Sequence, residues 1–214
     1  MKKEFFHKLT LAAIQNLMLV KSSIDTKKRF KFTAYIGLDR NWWHYYNHYK
    51  SAIDHLVIGI EGSLPVNTVS SSLLFLVRHC LELGFKANIL KLETISDARP
   101  KLTFKGGNSH SLEHLYSVFK DHLVKIQNTH NIEPSIRQKM DEYLNETEKL
   151  KNILHQLDKG SYNFRYPVDT DGNYNFEWDE QVNIADIVDA FYKLQPFMIF
   201  TDQVLYEHGV FGFE

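Results

Sequence analysis

Arg78, His79, Glu82 and Lys86 lie close together in the stretch LVRHCLELGFKANIL. Arg78, Glu82 and Lys86 follow one another at i, i+4 and i+8, so on a helix they share one stripe, with the carboxylate between two cations. His79 sits one position round from Arg78 and within reach of Glu82. A histidine near neutral pKa moves protons, an arginine stabilises negative charge developing on phosphate, and a carboxylate fixes an imidazole tautomer. Arg78, His79 and Glu82 are therefore the candidate catalytic residues. The same spacing also describes a buried, ion-paired seam that sets helix register, since charges are rarely sealed away unpaired. Both readings stay open at this level.

A second constellation is basic and aromatic. KKRFKF supplies Lys27, Lys28, Arg29 and Lys31, and Arg40 and Trp42 follow beside Trp43, Tyr45 and Tyr46. Cations neutralise phosphates while exposed rings stack on unpaired bases, which makes these the candidate nucleic-acid contacts. Against that, Trp43, Tyr46, Ile53 and Val57 fit the inward face of a helix. His110 and His114 are one turn apart, and His44, His48 and His55 share a helical face. Neither set has an accompanying carboxylate at the right pitch, and HExxH is absent. No metal and no cofactor is assigned. His110 is expected to bond a neighbouring carbonyl at a helix start. Arg165 and Tyr166, beside Pro167, are expected to reach back toward Glu82 and to form an anion pocket with His110 and Arg78.

The elements that must position these groups are helical. Residues 73–93 are apolar nearly all round, which marks a buried central helix. An amphipathic helix is expected over 3–22, and a second one begins at NWWHYY with Asp39 as its N-cap. Pro65 suits the first turn of the central helix. Ser109 or Ser111 caps a helix through LEHLYSVFKDHLVKI, Pro134 opens another, and a last one spans 181–207 with Pro196 as a kink. Asp171-Gly172 between aromatic runs signals a hairpin at 162–178. The expectation is an all-α, up-and-down bundle of about six helices with that small hairpin, as one domain over 1–214. Within it, 1–60 is the basic, aromatic N-terminal part, 65–157 the core bundle and 181–207 the C-terminal helix.

The totals narrow the class. Of 214 residues 43% are hydrophobic and only 5 are proline, enough for a core and too few for long linkers. A net charge of −1 hides an asymmetry. Residues 1–50 hold ten Lys and Arg against three Asp and Glu, whereas residues 158–214 hold three against eleven. Such a dipole suits an anionic partner at the basic end or head-to-tail self-association. Cys80 is the single cysteine, which excludes an internal disulfide and a thiolate-rich metal site. No stretch reaches the length of a membrane span and no signal peptide is evident, so a soluble, cytoplasmic protein is expected.

Three stretches in order, LVRHCLELGFKANIL, HSLEHLY and FRYPVD, resemble the HEPN (higher eukaryotes and prokaryotes nucleotide-binding) superfamily over roughly residues 71–168. The resemblance implies a helical bundle, frequently a homodimer, in bacterial defence or toxin–antitoxin systems. It implies binding or metal-independent cleavage of RNA or a nucleotide, or else a non-enzymatic subunit that holds a partner protein. The superfamily's ribonucleases carry Arg and His separated by four to six residues. Here Arg40 precedes His44 and His48 by three and seven intervening residues, and Arg78 adjoins His79.

Overall fold

The computed structural model describes residues 41–96 and 104–207, together with Lys31, Ala34 and Leu102. The chain divides into two compact units, Met1–Asp39 and Arg40–Glu214. The expected helix over 3–22, the cations Lys27, Lys28 and Arg29, and also Asp39 and Arg40 lie outside the described residues. Lys31 is described, and it is exposed.

The second unit contains five α-helices among the described residues: α1 (Trp42–Gly62), α2 (Ser70–Leu92), α3 (Leu112–Thr129), α4 (Pro134–Leu157) and α5 (Ile184–Glu207). Helices α2, α3, α4 and α5 pack as a closed ring, each touching the next, and α1 lies along α2. The all-helical bundle expected from periodicity is what forms. Its centre is α2, on which fifteen residues from Leu73 to Leu92 are buried. A helix apolar on every side finds no stable place except between other helices.

Local signals set most of the boundaries. Asn41, rather than Asp39, caps α1, its Oδ1 accepting from Trp43 N–H at 2.8 Å. Ser111 caps α3, its hydroxyl oxygen accepting from His114 N–H at 3.3 Å, and Pro134 occupies the first turn of α4. Each side-chain cap satisfies an orphaned N–H for about 1 kcal/mol. Pro65 starts a short 3-10 turn, Val66–Thr68, and α2 opens only at Ser70. The last helix begins at Ile184, with Asn183 Oδ1 accepting from Ala185 N–H at 3.0 Å, and continues through Pro196.

Packing is closest where α1, α2 and α5 meet. Gly84 lets them approach, because a Cβ there would stand 2.8 Å from Met198 Cε and 3.4 Å from the Tyr46 ring. Beside it, Asn88 Nδ2 donates to the carbonyls of Gly84 and Met198, both at 2.9 Å, and clamps α2 to α5. Across α3 and α4, buried Lys151 pairs with Glu113 and lies over the Tyr116 ring, whose hydroxyl donates to Leu144 O at 2.9 Å.

The hairpin contracts to a single antiparallel bridge, Val168 with Tyr174. Asp169 Oδ1 accepts from the N–H groups of Asp171 and Asn173, both at 2.9 Å, and Gly172 takes φ +87°. The turn forms where Asp171-Gly172 signals it, but two conditions for a ladder are missing. Pro167 has no N–H to donate, and Phe164 and Phe176 stack on each other at 5.9 Å and turn toward the helical core.

Candidate functional site

Glu82 is the hub of a buried polar centre. Its Oε1 accepts from Lys86 Nζ at 2.7 Å and meets His110 Nδ1 at 2.8 Å. Its Oε2 accepts from Arg78 Nη1 at 3.2 Å. Arg78 is saturated by segments far away in sequence: Nη2 donates to His110 O at 2.7 Å and Nε to Asp158 O at 3.1 Å. The Asp158 carboxylate stands 3.5 Å from Nε, while its Oδ1 accepts from Tyr162 and Asn163 N–H. Arg78 is 0% and Glu82 1% exposed.

Burial lowers the Arg78 pKa and is only partly offset by Asp158 and Glu82. Burial pulls Glu82 the other way, yet Lys86 and His110 outweigh it and hold the carboxyl below its usual range. Glu82 is thus a carboxylate fixed by its cations. Two of the three candidate catalytic residues, Arg78 and Glu82, have no surface from which to meet a substrate.

The two histidines near Glu82 differ. His79 is packed between Phe75, stacked at 5.6 Å, and the edge of Tyr49 at 4.5 Å, with Nδ1 3.9 Å from Glu82. Its side chain is 23% exposed, and burial lowers its pKa despite the carboxylate. His110 has a side chain 61% exposed and a direct bond to Glu82. An ionised Glu82 can only accept, so the contact has Nδ1–H donating to Oε1. An accessible imidazole oriented by a sealed carboxylate is the arrangement that acid–base chemistry requires. It is His110, and not His79, that meets this description.

Aromatic side chains approach this centre through Lys86. The Lys86 ammonium lies 6.0 Å from the Trp42 ring, and Trp42 stacks on Phe104 at 5.6 Å with planes 17° apart. Trp42 is half-buried and Phe104 is exposed, followed by exposed Lys105. Of the candidate nucleic-acid residues in the second unit, Trp42 is described, and it reaches the centre through Lys86. Trp43, Tyr46, Ile53 and Val57 face the core as the helical spacing required.

Two expectations need correcting. His110 bonds the Glu82 carboxylate instead of a carbonyl, because the 3-10 turn Gly107–His110 lays its ring against α2. Arg165 does not reach Glu82. Its Nε donates to Ser161 O at 2.6 Å, and its guanidinium lies over Phe75 and Tyr166. Lys86, His110 and Arg78 are the partners Glu82 takes instead, and the Arg165 guanidinium stays with its own segment and with Phe75 on α2. The shared anion pocket of His110, Arg78, Arg165 and Tyr166 is therefore not assembled, since Arg78 is sealed beneath. Cys80 is buried, its thiol donating to Tyr46 O at 3.5 Å, and burial pushes its pKa up, away from reactivity.

Asp158 and Phe104 were not among the candidates. Asp158 reads as a helix end and Phe104 as a loop ring, and no spacing ties either to α2. No grouping of three or more His, Cys, Asp or Glu able to hold a metal occurs among the described residues. No described helix is long and apolar enough to cross a membrane. Compared with protein-family models, curated proteins and solved structures, the chain matches none.

Proposed function

We propose that this is a HEPN-like protein of bacterial defence or toxin–antitoxin type that binds RNA or a nucleotide at the Trp42–Phe104–His110 face. The observation that carries the reading is an exposed ring backed by a second ring, linked through Lys86 to the buried carboxylate that holds His110. Phe104 offers a base a stacking surface, and the exposed Lys105 that follows it and the exposed His110 offer groups able to meet a phosphate or ribose. The seven-charge positive surplus of residues 1–50 favours a polyanion. Cleavage by Arg78 is not part of the proposal.

The test is fluorescence anisotropy with labelled ten-nucleotide single-stranded RNAs, with mononucleotides as competitors. Phe104→Ala is expected to weaken binding roughly tenfold, since one stacked base is worth about 1–3 kcal/mol. Unaltered affinity in that variant, or no binding by the parent protein, would reject the reading. The sealing of Arg78 and Glu82 favours a second reading, a non-enzymatic subunit holding a partner protein. Expression that leaves growth unchanged, together with absent RNA binding, would select it.

A further inference from the structure

At the opposite end of α2, about 12 Å from Glu82 at 1.5 Å per residue, lies a cavity of about 870 Å³. It is bounded by the end of α1, the start of α2, the 164–183 segment and the start of α5. Its floor is apolar: Leu73, Leu74, Phe164 and Val188 are all buried side chains that line it. This is the size and character of a small-molecule pocket, which commonly spans about 300–1,000 Å³ and is mostly hydrophobic.

The charge at its mouth has one sign. Glu61, Glu180 and Asp189 come from three different elements and are all exposed, and among the described residues lining the cavity none is Lys, Arg or His. Glu180 accepts from Glu177 N–H, which orients the carboxylate without neutralising it. Lys193, a turn beyond Asp189, does not line the cavity; it lines a smaller adjoining recess together with Glu146, Asp186 and Asp189 itself, so carboxylates outnumber it there too. The start of α2 presents Ser70 and Ser71 to the cavity, and Val69 before them supplies no side-chain cap. A helix N-terminus contributes about half a positive charge, too little to reverse three carboxylates. Trp178 stands at the rim, fully exposed, with a π face for a cation.

We propose that this cavity binds a small organic cation with an apolar body, the body on the Leu73–Leu74–Val188 floor and the charged head among Glu61, Glu180 and Asp189. An anionic ligand of the same shape would lose its hydration against three like charges. A polar polyamine would leave the floor uncovered. The site is separate from the face proposed for RNA, so each proposal stands or fails by its own measurement.

Isothermal titration of the full chain with decylamine, decanol and decanoate, all below micellar concentration, separates head charge from apolar body. Decylamine is expected to bind at least tenfold more tightly than decanoate, with decanol between them. The triple variant E61Q/E180Q/D189N should lose about tenfold for decylamine and keep its affinity for decanol. Ala185→Trp, at an exposed position on the mouth, should abolish binding of both while the circular-dichroism melt stays as in the parent protein. The proposal is overturned if none of the three probes binds, or if decanoate matches decylamine. It is equally overturned if the triple variant shows no selective loss, or if Ala185→Trp binds decylamine unchanged.

Discussion

Around Glu82 the polar side chains of α2 are closed over, whereas at Leu73 and Leu74 the same helix borders open space. In the middle, Arg78, Glu82 and Lys86 meet specific groups: a carbonyl of the 3-10 turn, a carbonyl after α4, the His110 ring, or a side chain one turn along. At the N-terminal end the buried Leu73 and Leu74 line a cavity, and the 164–178 segment beside it forms one antiparallel bridge and the Phe164–Phe176 ring pair in place of a ladder. The contrast teaches that sealing a charge requires partners of fixed geometry, so the backbone there is specified closely. An apolar surface accepts a gap at a cost only in lost contacts.

The largest effect should come from Glu82→Ala, which strands Arg78 and Lys86 without their shared carboxylate. Removing one member of a buried ionic group costs about 3–5 kcal/mol, readable by urea denaturation. Leu74→Ala, beside the cavity, should cost about 2 kcal/mol, the low end for a leucine deletion, because space already adjoins it. Equal losses at the two positions would break the comparison.

Gly84→Ala tests the tight side of α2. The added methyl presses on Met198 and Tyr46, and a cost of about 1 kcal/mol is expected, since the Met198 side chain can swing away. A stabilised variant would show that the close approach is not real.

Acid should weaken the middle before it weakens the cavity end. Burial holds the His79 pKa below 6.5 in the folded protein, so the unfolded chain binds the proton first. The stability from neutral His79 is complete above pH 6.5 and is lost as pH falls through the folded-state value. Glu82 acts in the same direction at lower pH, its contribution being complete above 4.5 and disappearing as the carboxylate is protonated. Between about pH 8 and about pH 5, the melting temperature of the parent should fall relative to that of His79→Phe. Parallel curves would count against a desolvated His79. The difference between the two curves isolates it from His155, which burial shifts in the same sense. Smallest of all, Trp178→Ala should change stability by no more than about 0.5 kcal/mol, because the ring is wholly exposed.

The helices were legible because their signals are local. The all-round apolar run of α2, the Ser111 cap and Pro134 at the start of α4 each act within a few residues. The i, i+4, i+8 ion-pair stripe was legible for the same reason. Less legible was the 162–178 segment, where Asp171-Gly172 specifies a turn but the strands on either side answer to Pro167 and to the helical core.

Sequence by itself determined that Glu82 would sit between Arg78 and Lys86, since helical pitch alone brings them together. Only the tertiary structure decided which histidine stayed accessible. His79, the neighbour in sequence, is enclosed by Phe75 and Tyr49, and His110, from a connector twenty-eight positions away, takes the carboxylate. Likewise Arg78 is sealed by Asp158 across eighty residues. The reason is that burial belongs to whichever segments close over a helix face, and no periodicity along that helix records what they will be.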